Sequence, residues 1–357
     1  MLELSLFLCV IALLITVLNT FSIITPREGG QVNQKISVLV PLRNEEDNAV
    51  AIVETLAAQE NLDSVEFLIL DDNSTDKTYE LVSSTARADS RFRLIHGSPL
   101  PDGWLGKPWA LKQLSESAKG EILICLDADV RLSKNAIAAA VQSMQKHRLD
   151  FFSAYPSQVA RTFGERMIQP LLQWSWLSSV PLAIARRSSN PSFAVANGQF
   201  FAVRRSALES SGGYSSIKAE VLDDMQIARV LLRNNFKGTV GNGALIAQCH
   251  MYSSWNELRN GYAKSLWKGF GGVFGSIIAI ALLAITGIVP ILAAATGSPF
   301  GWLAFEAILI SRVISAKITR SNLFDSLLHP LSAILLIYLI VYSWLMRGRI
   351  QWKGRTV

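Results

Sequence analysis

The chain has 357 residues, 50% of them hydrophobic and only 17% charged, with a mean hydropathy of +0.29. That composition excludes a disordered chain, which needs low hydrophobicity and high charge, and argues against a wholly water-soluble one. The net charge of +6 suits an anionic membrane surface or a phosphate-bearing ligand. Three cysteines, Cys9, Cys125 and Cys249, are too few for a disulfide framework and read as buried free thiols.

Residues 4–25 form an apolar run long enough to cross a hydrocarbon core of ~30 Å at about 1.5 Å per residue. The run lacks the basic start and small-x-small cleavage site of a signal peptide. No basic residue precedes it, and Arg27, Lys35 and Arg43 follow. Residues 1–26 are therefore expected to be an uncleaved anchor with its C-terminal side in the cytoplasm.

The stretch 30–250 alternates two patterns. Strands are predicted at 36–41, 65–72, 92–97 and 121–129, and helices at 45–60, 76–88, 109–120 and 135–148. This alternation argues for βαβ units and a parallel sheet covered on both faces. Residues 163–185, with two tryptophans and few charges, read as a membrane-contacting flap, with ordinary core packing as the alternative. An amphipathic interface helix is expected at 251–272, carrying Trp255, Arg259, Lys264 and Trp267.

Transmembrane or re-entrant helices are expected within 273–346: 276–295 with a break at Pro290, 301–316 carrying Glu306 and Arg312, and 330–346. A basic tail, 347–357, follows. Lys317 and Arg320 precede the last segment, and Arg347, Arg349, Lys353 and Arg355 follow it. Both sides cannot be cytoplasmic if that segment crosses, so one of the three is expected to be re-entrant or interfacial.

In open parallel sheets ligands bind beyond the carboxyl ends of the strands. The first strand is followed by Pro41-Leu42-Arg43-Asn44-Glu45-Glu46, the second by Asp71 to Asp76, and the fourth by Asp127-Ala128-Asp129. Thr75 or Asp76 also suits a helix N-cap. Asp127 and Asp129, two apart at a strand mouth, point to one face. They suggest a hard divalent cation held by carboxylates on one side and phosphate oxygens on the other. Asp223-Asp224 opens a further helix, where the dipole alone favours acids.

Together ISVLVPLRNEE (36–46), FLILDDNSTD (67–76), the DAD at 127–129 and LDDMQIAR (222–229) resemble the family-2 inverting glycosyltransferases of GT-A fold. PDGWLGKPWAL (101–111), the segment 250–270 and QWKGR (351–355) are similar to membrane glucosyltransferases of the hydroxychlorobactene and carotenoid subgroup. The resemblance implies an α/β fold with a Rossmann-like mixed sheet, an N-terminal transmembrane helix and a C-terminal hydrophobic helical bundle. It also implies a multi-pass protein of the cell membrane whose catalytic domain faces the cytoplasm.

The same resemblance implies roles, residue by residue. Pro41, Arg43 and Glu45 would line the nucleotide pocket, and Asp72 would accept a hydrogen bond from uracil N3–H. Asp127 would face the ribose and, with Asp129, hold Mg²⁺ or Mn²⁺. Asp224 would be the general base, beside Asp223 where the family usually has Glu. Lys107 would meet nucleotide or phosphate, or else be a solvated loop lysine. His250 would contact metal or phosphate, with a satisfied core or loop histidine as the alternative. Trp255, Arg259 and Lys264 would close over the donor or anchor the interface.

The implied reaction moves one hexose, glucose from UDP-glucose as first choice, to a hydroxyl of a lipophilic acceptor. A carotenoid is the first choice of acceptor. A polyprenyl phosphate, sphingolipid or glycerolipid is the alternative. The Q-x-x-R-W motif of processive members is missing, which points to transfer of a single sugar. Membrane lipid is an expected partner and nucleic acid is not. The sequence carries no signal for oligomeric state.

Overall fold

The computed structural model describes residues 1–27, 29–349, 351–352 and 355–356, the last four by backbone alone. Ile350, Lys353, Gly354 and Val357 of the expected basic tail lie outside the described residues. The chain forms two compact units. An α/β unit comprises residues 23–157 and 184–249, and a helical unit comprises 1–22, 158–183 and 250–357. The stretch 30–250 is thus not one body, because 158–183 belongs to the helical unit.

In chain order, α1 (Leu2–Ser22) opens the helical unit. The α/β unit then runs β1 (Val32–Leu42), α2 (Glu46–Ala57), β2 (Leu62–Asp71), α3 (Thr78–Ala86), β3 (Phe92–His96), α4 (Gly106–Ser117) and β4 (Ile122–Leu126). It continues with β5 (Val130–Leu132), α5 (Ala136–His147) and β6 (Phe151–Tyr155). After the short β7 (Ser157–Gln158), α6 (Phe163–Ser179) and α7 (Leu182–Ala185) come β8 (Phe200–Arg204), α8 (Arg205–Ser210), α9 (Asp223–Arg233), β9 (Gly238–Asn242) and β10 (Ala247–Cys249).

Seven strands form one sheet in the order β3-β2-β1-β4-β8-β6-β9. Strands β3, β2, β1 and β4 are parallel, but β8 runs antiparallel to both β4 and β6. The sheet is therefore mixed. The parallel pattern predicted from the alternation resumes with β6 and β9, which pair parallel, so β8 alone runs against it; β8 enters from a loop rather than a crossover helix. Every residue of β4 is buried, as a strand covered on both faces requires. Pro41 sits past Leu39, the last β1 residue paired with β4, so its missing N–H leaves no ladder bond unmade.

The helical unit adds α10 (Trp255–Ala263), α11 (Leu266–Gly269), α12 (Val273–Leu283), α13 (Val289–Ala295), α14 (Pro299–Thr319) and α15 (His329–Leu345). Among the described residues four helical stretches are long and apolar enough to cross a membrane: Leu2–Ser22, Val273–Ala295, Pro299–Thr319 and Leu323–Leu345. Their outer faces expose Phe7, Leu18, Phe274 and Leu345, while Ser5, Thr16, Asn19, Ser332 and Ser343 are buried. This inside-out pattern suits lipid as solvent.

The break expected at Pro290 is a π turn, Ala284–Ile288, inside a continuous helical path. Proline cannot donate to the Thr286 carbonyl four residues back. That carbonyl instead meets Cys9 Sγ at 3.9 Å, and the neighbouring Ile285 carbonyl accepts from Ser5 Oγ at 2.7 Å. The predicted single helix at 251–272 is likewise corrected to two short ones, α10 and α11. The Ser343 hydroxyl is inserted into the helical ladder, donating to the Ala263 carbonyl (2.6 Å) and accepting from Trp267 N–H (2.9 Å). Helix α6, read as a flap, is enclosed: Trp174 and Trp176 are 6% and 7% exposed.

Candidate active site

The loops after β1 and β2 are joined by hydrogen bonds. Arg43 donates to the carbonyls of Asp72 (2.5 Å) and Asn73 (3.2 Å). Asn44 and Asn73 take left-handed backbone angles, φ 50° and 56°, which asparagine tolerates. The Asn44 side chain then accepts from Thr75 N–H at 2.8 Å. Asp76 accepts from Thr78 N–H (3.0 Å), and the Thr78 hydroxyl accepts from Glu45 N–H (2.8 Å). Asp71 and Asp72 are both nearly enclosed; Asp71 Oδ2 accepts from Ser74 N–H at 3.3 Å, while its Oδ1 is buried with no partner among the described residues.

A second cluster joins the end of β4 to the start of α9. Lys107, in the first turn of α4, places its ammonium 2.7 Å from Asp127 Oδ1 and 3.6 Å from Asp223 Oδ2. Burial works against its charge, but Asp127, Asp223 and Asp224 more than compensate and hold its pKa well above the ordinary value. Lys107 is therefore not a solvated loop lysine. Asp224 is held at both oxygens: Oδ2 accepts from Gly198 N–H and Oδ1 from Met225 N–H, each at 2.7 Å. Burial, then the Asp223 charge, raises its pKa to about 6 against the pull of Lys107 and the two N–H donors.

Asp129 sits in the turn between β4 and β5. Burial, then the charges of Asp127 and Glu45, pushes it up to about 7. Its Oδ1 is buried with no hydrogen-bond partner among the described residues. The pairing of Val130 with Cys249 in the β5–β10 ladder brings the Cys249 thiol beside it. These features fit a divalent cation: an orphaned buried oxygen and two carboxylates whose mutual repulsion a cation would relieve. Among the described residues no three His, Cys, Asp or Glu side chains form a metal group alone. A cation here would share its remaining positions with ligand oxygens and compete with Lys107 for Asp127.

The α/β unit thus brings Lys107, Asp127, Asp223 and Asp224 together, and sets Pro41, Arg43, Glu45 and Asp72 along the same strand ends. Four candidates belong to the helical unit and have contacts there. His250 Nε2 faces the buried Glu165 at 3.5 Å. Trp255 lies on Gly164 and stacks with Tyr338 at 6.3 Å. Arg259 lies 4.9 Å over the Tyr342 ring, and the Lys264 carbonyl accepts from Trp267 Nε1 at 3.0 Å. Sequence reasoning missed Gly198 and Cys249 at the site. The Asn197-Gly198 pair before β8 was the available signal, because such pairs mark turns.

Residues 37–212 match the family model "Glycosyl transferase family 2". The chain is 22% identical over 264 residues to a 4,4'-diaponeurosporenoate glycosyltransferase of Staphylococcus haemolyticus, covering 73% of this chain and 68% of that one. It is 28% identical over 204 residues to a beta-monoglucosyldiacylglycerol synthase of Nostoc sp., covering 54% of this chain but only 40% of that one. In fold it is similar to the mannosyltransferase PcManGT of Pyrobaculum calidifontis, solved in complex with GDP-Man and Mn²⁺. The TM-score is 0.58 at 17% identity, over 97% of this chain and 98% of that one.

Proposed function

We propose, starting from the family-2 glycosyltransferase domain that this chain carries at residues 37–212, that it transfers one hexose, glucose from UDP-glucose as first choice, to a hydroxyl of a lipophilic acceptor. The observation that carries the reading is the single Lys107 ammonium shared by Asp127 at the end of β4 and Asp223 at the head of α9, next to Asp224. One ammonium between them sets a diphosphate-side acid close to a base.

In this reading Asp224 removes the proton of the attacking hydroxyl. Its two backbone donors fix the carboxylate's direction and leave each oxygen a further lone pair for that proton. Lys107 turns from Asp127 toward the departing diphosphate, whose negative charge it offsets. Asp72 reads the base, and Arg43 holds the Asp72 loop in place. Asp129 and Asp127 would hold Mg²⁺ or Mn²⁺, which supplies electrostatic stabilisation of the leaving group when bound. One displacement from the face opposite the diphosphate inverts the anomeric centre.

The relative named for a diaponeurosporenoate supports a carotenoid-type acceptor, and the glucosyldiacylglycerol synthase favours a glycerolipid as the second reading. Four candidate spans among the described residues support residence in a membrane, and Arg27, Lys35 and Arg43 after the first of them favour the cytoplasmic side for the α/β unit. The test supplies labelled UDP-glucose and lipid extract to membranes containing the protein. Wild type is expected to form a glycosylated lipid, Asp129→Ala to form none, and Asp224→Asn to form it about 10²–10⁴-fold more slowly. Undiminished turnover in Asp224→Asn would remove the base assignment.

A further inference from the structure

Arg312 lies within α14, seven residues before its end at Thr319, or about 10 Å along the axis. Its side chain is 2% exposed, and Nε and Nη1 have no hydrogen-bond partner among the described residues. The acid that acts on it electrostatically, Asp325, is already clamped by Arg166, through Nε at 3.1 and 3.2 Å and Nη2 at 2.5 Å. A guanidinium enclosed in this way lacks a counter-charge of its own, a costly state in a unit built for lipid.

A second group shares the place. The guanidinium lies 6.0 Å from the centre of the Trp174 ring, and His329 meets the same ring edge-on at 5.1 Å. His329 is 1% exposed, and neither ring nitrogen has a partner among the described residues. The Ser315 hydroxyl, one turn on from Arg312, is also unpartnered. Beside the imidazole the π turn carries Gly287, where a Cβ would stand 3.5 Å from His329 Nε2. By contrast, nearby Ser311 is fully used, meeting Trp174 Nε1 at 2.7 Å and Thr16 Oγ1 at 2.8 Å. Arg312, Ser315 and His329 thus carry five unmet buried side-chain atoms among the described residues.

We propose that Arg312, His329 and Ser315 form a buried oxyanion site that takes the carboxylate or phosphate end of a lipid-soluble molecule. The planar guanidinium fork matches two oxygens of such a group, and the imidazole and hydroxyl add further donors. The position along α14 favours the slender carboxylate of a single-chain molecule over a bilayer headgroup. The site is independent of the transfer chemistry, so its test reads binding alone.

Full-length protein in a neutral detergent is titrated with tritiated oleate and with tritiated methyl oleate, which lacks the charge. Wild type is expected to prefer oleate by about tenfold or more, the effect of hydrogen bonds to a charged group. Arg312→Met should erase the preference, and Arg312→Lys should keep part of it. Native mass spectrometry of the purified protein tests the other source. An anionic phospholipid retained by wild type and lost in Arg312→Met identifies a headgroup phosphate as the occupant. The proposal fails if wild type neither distinguishes oleate from its ester nor retains an anionic lipid, a result that needs no variant to fold. It also fails if the preference survives in Arg312→Met.

Discussion

In the α/β unit, Asp127, Asp129, Asp223 and Asp224 crowd one rim, and the cation among them, Lys107, is shared by two carboxylates at 2.7 and 3.6 Å. In the helical unit the buried hydroxyls of Ser5, Thr16 and Ser343 reach backbone carbonyls, and the buried cation Arg312 has two donors unmet among the described residues. The first region holds excess negative charge and the second holds unmet positive donors. The difference teaches where ligands are expected. A rim near water can hold repelling acids because solvent and a lysine moderate them. An enclosed unit satisfies its polar groups internally, and those it leaves unmet stand out.

Asp224→Asn should break the acid side of this comparison most severely. Loss of positioned proton transfer is expected to cut turnover by about 10²–10⁴-fold, with donor binding retained. Single-turnover transfer and a separate UDP-glucose binding assay would show the split. Gly198→Ala is next. A Cβ there would stand 2.9 Å from Lys107 Nζ and 3.6 Å from Asp224 Oδ2, so the flexible ammonium must move. Turnover is expected to fall roughly 10- to 100-fold while the melting temperature holds, because the clash is with the far end of a mobile side chain.

The pH profile sharpens the same point. Burial and Asp223 raise Asp224 from 3.8 to about 6, so its basic form dominates only above that value. Turnover should fall about tenfold for each pH unit below about 6, and the limb should vanish in Asp224→Asn. Folding has the opposite dependence. Between 3.8 and about 6 the native acid keeps a proton that the unfolded chain releases, so this group's contribution to stability declines as pH rises. The smallest effect belongs to the helical unit. Ser343→Ala removes both hydrogen bonds at the α10–α11 break and should cost about 1–2 kcal/mol, read as a lower melting temperature in detergent.

Much of the α/β unit was legible. The predicted strand at 92–97 is β3 (Phe92–His96), and the predicted helix at 135–148 is α5 (Ala136–His147). These runs carry apolar periodicities that local sequence reveals. The antiparallel entry of β8 was not legible, because FFAVR reads as a strand in either direction. The acids after β1, β2 and β4 could be found by position, since a parallel strand end is a known place for ligands. The Asn197-Gly198 pair marks a turn but not a role, because what Gly198 contributes is a backbone N–H aimed at an acid twenty-six residues later. The single helix expected at 251–272 failed for a similar reason: the hydroxyl that interrupts it comes from Ser343, eighty residues away in sequence from Ala263.

The amino-acid order by itself determined the greasy ends, the alternating middle and the acids at the strand mouths, because burial periodicity and turn chemistry act over a few neighbouring residues. Only the tertiary structure decided which acid keeps an unmet oxygen, which lysine stands among them and which enclosed arginine shares its acid with a second arginine. Partners and solvent access are set by segments far apart along the chain, and no local pattern encodes them.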